Sequence, residues 1–342
     1  MITHETYLER ATEKLTHIPK GTSLLSRVLL SLLSRGGSHG RLSILIYHRV
    51  QVQTDPLFPE ECDAQRFDEQ LRQLAACFNV IPLSDAVRGL DRGKLPPRAA
   101  CITFDDGYAD NADVALPILQ RYGLSATFFV AAGFLDGGRM WNDTVIELVR
   151  RAPGESLDLS EIDLGRYEIG SIPQRRQAIG NLIDELKYLP IEARQAKVDE
   201  MCALIPAIPP DNLMMTSSQV RLLYASGMEI GGHTVNHPIL ARTDDSVSSA
   251  EIANGKEILE GIIGGPVRLF AYPNGKPGRD YARQHPEMEK RLGFDAAVST
   301  AHGTATPGSD VYQLPRFTPW DRSELRFTLR MAQNMLTAVE TA

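Results

Sequence analysis

Apolar, β-branched runs alternate with segments of helical spacing along most of this chain, and that alternation restricts the fold more than any other feature. "LSILIYHRV" (42–50) suits a strand buried on both faces, and "AQRFDEQLRQLAACF" (64–78) has helical spacing. "NVIPLSDAVRGL" (79–90) reads as a short strand and then a helix with Ser84 as its N-cap. "RAACITF" (98–104) is the next strand, followed by a helix at "NADVALPILQRYG" (111–123) and a strand at "SATFFVAAGFL" (125–135). From about 140 to 215 the alternation lapses into a polar stretch of helical pattern, taken as a helical insertion. It resumes with helices at 217–227, 248–264 and 281–293, each followed by a strand: "MEIGGHT", "VRLFAYP" and "FDAAVST". "YQLPRF" (312–317) and a terminal helix from Ser323 close the chain. Repeated βα units predict parallel strands covered by helices, as an open sheet or a closed barrel.

The 342 residues suffice for one large α/β domain or two ordinary ones. A net charge of −7 and the lack of a basic stripe argue against nucleic acid as a partner. Cysteines 62, 77, 101 and 202 form no CxxC pair and are expected to be buried free thiols. Residues 5–35 predict two helices broken near "HIPKG". The second holds a Leu-rich stretch (23–35) suited to docking on the domain or to peripheral membrane contact, and it is too short to span a bilayer. Glu5, Glu9, Glu13 and Pro19 are a poor start for a secretory signal, so a cytoplasmic protein is expected.

In α/β folds the loops at the carboxyl ends of the strands carry the chemistry. Three such loops here are polar: Asp105, Asp106 and Gly107 after one strand, "HTVNHP" (233–238) after another, and Tyr272, Pro273, Asn274 and Gly275 after a third. His233 and His237 are four apart, but Gly231, Gly232 and Pro238 favour a loop over a helix. Two imidazoles with Asp106 make a plausible three-ligand metal site with open positions, zinc being the preferred divalent ion. A cation there would turn the two adjacent carboxylates to different tasks, Asp106 as ligand and Asp105 as general base. The backbone N–H of Tyr108 is placed to help hold an oxyanion.

"TFDDG" (103–107), "HTVNHP" (233–238) and "FAYPNG" (270–275), in this order, resemble the polysaccharide deacetylase superfamily, the NodB-homology carbohydrate esterases. The resemblance covers roughly residues 42–320, apart from the insertion. It implies a distorted (β/α) barrel that binds zinc or a similar ion and hydrolyses the N-acetyl groups of amino sugars. It also implies Asp105 as base, Asp106, His233 and His237 as metal ligands, and the Tyr108 N–H as oxyanion donor. The expected organisation is an N-terminal helical extension (1–40), a barrel (41–322) with the insertion, and a C-terminal helix (323–342) packed on the barrel.

The chain departs from the family pattern twice. Ala271 stands where many members have an arginine that orients the base, a form similar to that of the biofilm poly-N-acetylglucosamine deacetylases; Arg316 in "LPRF" is the expected substitute. The general-acid histidine is not found in its usual late position, which leaves His48 as the favoured acid and His302 as the other candidate. Trp141, at the start of the insertion, is expected to stack on a sugar ring, and Tyr272, Pro273 and Asn274 to line the groove. His4, His17, His39 and His285 are expected at the surface. The expected substrate is an exopolysaccharide or lipid-linked amino-sugar glycan, acted on at the inner membrane surface. A hydrolase of another C–N bond and a non-catalytic glycan-binding protein are the alternatives.

Overall fold

A computed structural model describes residues 20–342 of the chain. The expected helix before "HIPKG", and His4 and His17, lie outside the described residues. The first half runs α1 (Lys20–Leu33), β1 (Leu42–Tyr47), α2 (Ala64–Cys77), β2 (Asn79–Val80), α3 (Leu83–Asp91), β3 (Ala99–Phe104), α4 (Leu116–Tyr122) and β4 (Thr127–Val130). Then come α5 (Trp141–Arg151), the hairpin strands β5 (Ser156–Asp158) and β6 (Arg166–Glu168), α6 (Ile172–Leu186) and α7 (Ile191–Leu204). The remainder is α8 (Ser217–Ala225), β7 (Glu229–Gly232), α9 (Asp245–Ile263), β8 (Leu269–Ala271), α10 (Gln284–Arg291), β9 (Ala296–Val298) and α11 (Glu324–Asn334).

The main sheet has seven strands, six in the order β1-β3-β4-β7-β8-β9 and β2 off this path beside β3, and every pairing in it is parallel. β1 takes the whole of one edge of β3, while β2 pairs with Ala99 and Ala100 and β4 with Thr103 and Phe104 on the other edge. The sheet curls until its two ends nearly meet. Residues 314–317 fill the gap: the Leu314 N–H donates to the Ala297 carbonyl (3.0 Å) and the Phe317 N–H to the Ile44 carbonyl (2.7 Å). Pro315, with no N–H to give, keeps this segment from being a regular strand. The result is the distorted (β/α) barrel expected from the sequence.

Strand alternation sorts the side chains. Leu42, Ile44, Cys101, Phe129, Leu269, Val298 and Leu314 share one cluster with α3, while Leu45, Tyr47, Ile102, Phe104, Phe128 and Val130 belong to the larger cluster that the other helices cover. Phe104 stacks on Phe128 at 4.7 Å between ring centroids. The insertion has a hydrophobic core of its own, including Leu148, Leu157, Ile169, Ile179, Leu182, Val198 and Met201. α11 packs against α1 and α2.

Several local expectations need correction. The insertion is not purely helical: β5 and β6 form an antiparallel hairpin, turned by Asp163 and Gly165 in left-handed backbone and registered by Leu157 opposite Tyr167. β4 stops at Val130, because the N–H groups of Ala132 and Gly133 donate to the carbonyls of Thr234 and Val235 instead of continuing a ladder. Cys202 is exposed and Cys62 half-buried, so only Cys77 and Cys101 are the buried thiols expected. His285 is fully buried, its Nδ1 accepting from the Ala282 N–H at 2.9 Å; a proline-containing first turn folds it inward.

Ser84 does not cap α3, since it lies within the helix behind Pro82. The cap comes from a distant strand. The carboxylate of Glu229, at the start of β7, accepts from the N–H groups of Leu83 (2.8 Å) and Ser84 (3.2 Å) and from the Thr127 hydroxyl (2.7 Å). It neutralises the positive end of the helix and ties it to two strands. Glu229→Ala is expected to lower the urea midpoint by the equivalent of about 1–2 kcal/mol. Glu229→Gln, which keeps one acceptor oxygen, should lose less.

Candidate active site

The chain beyond β3 turns sharply. The Asp105 N–H still pairs with the Tyr47 carbonyl (2.9 Å), but Asp106 has φ +77° and Gly107 φ +92°. A β-carbon on Gly107 would come within 2.9 Å of Val130 Cγ1, so the turn is tight as well as left-handed. This re-aims the second carboxylate. Asp105 continues the strand's inward face beside Thr103, while Asp106 faces the loop that follows β7.

That loop is held from α9. The Glu251 carboxylate accepts from the N–H groups of Val235 (3.0 Å) and Asn236 (2.8 Å), and Gly255 lies so close beneath that a β-carbon would meet the Thr234 carbonyl carbon at 2.8 Å. Thr234 and His237 sit at φ +66° and +51°, and the Thr234 hydroxyl accepts from the His237 N–H at 3.0 Å. A β-branched residue at positive φ is costly, and it persists only where its surroundings over-determine it. Both histidines consequently present Nε2 to Asp106 Oδ1, at 3.3 Å for His233 and 3.4 Å for His237.

The donor set suits a divalent cation. Ligand atoms of Asp106, His233 and His237 all lie within 4.8 Å of one another. His233 Nδ1 is 2.7 Å from the Ala271 carbonyl, so Nδ1 carries the proton and donates, leaving a lone pair on Nε2. Burial pushes His237 down to about 4, keeping that imidazole neutral near pH 7.

Asp105 has a different partner. Arg316 donates to both its oxygens, 2.6 Å each, and also to Thr103 Oγ1 (3.2 Å) and the Ser299 carbonyl (2.8 Å). The guanidinium is fully buried. Burial opposes ionisation of Asp105, but the Arg316 charge outweighs it and, with His233, holds the carboxyl below the usual range.

A cavity of about 250 Å³ opens over these groups, and His48, Trp141 and Asn274 also line it. His48 is exposed at its edge, its carbonyl held by the Asn111 side-chain amide at 2.8 Å. His302 is exposed and does not line the cavity. Tyr108 is buried, with its hydroxyl donating to Asp143 (3.1 Å), and among the described residues its N–H has no acceptor. Reading the sequence missed Asn142, Lys187, Arg194 and Thr300, which line the same cavity. Isolated polar residues in a polar stretch give no local signal.

Tyr272 and Pro273 do not reach the cavity, which corrects their expected contact with substrate. Tyr272 is fully buried and stacks on Tyr281 at 3.9 Å. Its hydroxyl lies 2.8 Å from Glu289 Oε2 and 2.9 Å from the Tyr312 carbonyl, so the ring braces α10 against β8. Pro273 is buried behind it.

A family model described as polysaccharide deacetylase matches residues 92–155 and 193–297. The chain belongs to the polysaccharide deacetylase family. YxkH of Bacillus subtilis (strain 168), assigned by name to the polysaccharide deacetylases, is 20% identical over 278 residues, which are 81% of this chain and 70% of that protein. Two solved structures share the fold. The Streptococcus pyogenes deacetylase PplD, in complex with acetate, has a TM-score of 0.58 and 20% identity, over 85% of this chain and 98% of that one. IcaB from Ammonifex degensii has a TM-score of 0.55 and 19% identity, over 86% and 97%. This deacetylase is thus a hydrolase whose family match covers all three motif loops and breaks within the insertion.

Burial pushes the Glu289 carboxyl up to about 8. A raised acid favours the folded state below its unfolded value and loses that advantage as pH rises through the folded value. Stability should therefore fall between about pH 4.5 and 8 through this group. In Glu289→Gln, thermal melts across that range should show a smaller fall than the parent, and an unchanged slope would exclude Glu289 as its source.

Proposed function

We propose that this deacetylase removes N-acetyl groups from amino sugars of an exopolysaccharide or a lipid-linked glycan. The observation that carries the reading is the pairing, in one cavity, of an Asp/His/His donor set with a separate carboxylate kept ionised by a buried arginine. A cation held by Asp106, His233 and His237, zinc for preference, would supply Lewis acidity toward the amide carbonyl and the attacking water. Asp105 takes the proton from that water, ready to do so because Arg316 favours its charged form. The Tyr108 N–H donates to the developing oxyanion, and His48 returns a proton to the departing amine. Trp141 offers a ring for a sugar to stack on, and Asn274 a polar contact. A purely glycan-binding role is less well supported, because an ionised carboxylate beside the donor set serves no binding purpose.

The test is acetate release from N-acetylglucosamine oligomers by zinc- or cobalt-loaded protein. Asp105→Asn is expected to lose about 10²- to 10⁴-fold in kcat with its metal content intact. His237→Ala should lose metal as well as activity. Arg316→Ala should lower kcat more than it raises KM and cost about 3–5 kcal/mol of stability, since it strands a buried carboxylate; Arg316→Lys should recover part of both. Unchanged turnover in Arg316→Ala would remove its role.

We also propose peripheral membrane contact through α1. Val28, Leu29 and Leu32 are exposed there, and Leu325 and Leu329 are exposed on α11, which packs against it. Among the described residues no helix is long and apolar enough to cross a membrane; the contact proposed is at the surface. Leu29→Glu with Leu32→Glu should reduce co-sedimentation with anionic lipid vesicles severalfold. Undiminished sedimentation would argue against this contact.

A further inference from the structure

The two walls of the cavity differ in kind. Strand-end loops form one, with Asp105, Asp106 and both histidines; α5, α6 and α7 of the insertion bring Trp141, Lys187 and Arg194 to the other. Arg194 is 7% exposed, and its guanidinium carbon stands 4.8 Å above the Trp141 ring. Among the described residues the guanidinium makes one hydrogen bond, a long one of 3.5 Å to the Lys187 carbonyl.

Buried guanidinium groups normally find oxygens for their five donors, because an unpaired buried charge is costly. Arg316 has Asp105, Thr103 and Ser299; Arg66 has the carbonyls of Glu60 and Pro59 at 2.7 and 3.2 Å. Arg194 has no such set, and among the described residues neither it nor Lys187, whose ammonium lies 5.9 Å from the Tyr188 ring centroid, pairs with a carboxylate. The acids of the site cannot serve. Asp105 is taken by Arg316 and Asp106 by its histidines.

We propose that Arg194 and Lys187 form an anion-recognition subsite, and that the amino sugar deacetylated here bears a phosphate or carboxylate group. This deepens the deacetylase reading and rests on it. A volume of about 250 Å³ lies just below the roughly 300–1,000 Å³ of ordinary ligand sites, so the charge belongs on the acetylated sugar or the unit beside it. The overall charge of −7 repels an anionic glycan, and a local cationic wall is what such a substrate requires.

The experiment compares kcat/KM of the metal-loaded protein within two matched pairs. N-acetylglucosamine 1-phosphate is set against N-acetylglucosamine, and the N-acetylglucosaminyl-N-acetylmuramic acid disaccharide against N,N′-diacetylchitobiose. Preference in the first pair alone identifies a glycosyl phosphate; preference in the second alone identifies a carboxylate sugar. The anionic-to-neutral ratio should exceed ten in one pair, and fall about ten- to hundredfold in Arg194→Gln. Lys187→Gln should lower it less, and Arg194→Lys should retain part of it. A ratio near one in both pairs, or a preference untouched by both glutamine variants, overturns the subsite. If no substrate releases acetate, the deacetylase reading fails for these sugars, and calorimetric binding of the two anionic probes decides the subsite separately. Binding lost in Arg194→Gln supports it, and no binding by the parent overturns it.

Discussion

The ion pair between Arg316 and Asp105 joins the closure of the barrel to the chemistry at its rim. Arg316 belongs to the segment that bridges β9 and β1, and its own N–H donates to the Ala301 carbonyl at 2.8 Å. Its side chain then crosses the mouth of the barrel to reach both oxygens of Asp105. Burying two charges costs several kcal/mol per ion before their attraction is counted, so the pair is poor evidence of added stability. What it secures is a defined protonation state in a place where burial alone would favour the neutral acid. Displacing the closing segment would release the carboxylate from its partner.

Position 271 acts on the site through its backbone alone. The backbone carbonyl of Ala271 fixes the tautomer of His233, a task that asks nothing of the side chain. The side chain lies in the packed interior with Val298 and Leu314, where alanine fits. A guanidinium can therefore enter from another strand end, provided the barrel brings it near. The left-handed residues of the loops, Asp106, Thr234, His237 and Asn274, cluster around the same mouth. Glu251, Gly255 and the hydrogen bonds of Ala132 and Gly133 hold the "HTVNHP" loop in that costly shape.

What could be read from the sequence was whatever depends on local spacing. The period-2 and helical patterns gave the βα order, and adjacent functional residues marked three strand ends. Pairings between distant residues were harder. Arg316 was legible only because the usual arginine was missing, for nothing around residue 316 points across 211 positions to Asp105. The Glu229 cap was invisible for the same reason: a local rule chose Ser84, while the acceptor sat on another strand. Tyr272 misled because a polar tip in a motif loop looks functional, yet Glu289 and the Tyr312 carbonyl occupy its hydroxyl inside the core. The β5–β6 hairpin escaped notice because its strands are three residues each, too short to set a period.

On the proposed reading, the insertion separates recognition from catalysis. It has its own hydrophobic core, so the surface it turns to the cavity can change without repacking the barrel. The family match stops at residue 155 and resumes at 193, leaving Lys187 outside it and Arg194 at its edge. The donor set and the paired carboxylate sit on strand ends that the barrel holds rigid, as the proposed proton transfer and metal ligation demand of atoms placed to within fractions of an ångström. Trp141 and Arg194 sit instead on helices packed mainly on the insertion's own core, which the barrel meets through Leu57 and the Asp55–Arg150 pair. A site divided in this way can keep one reaction while changing the charge of the sugar it accepts.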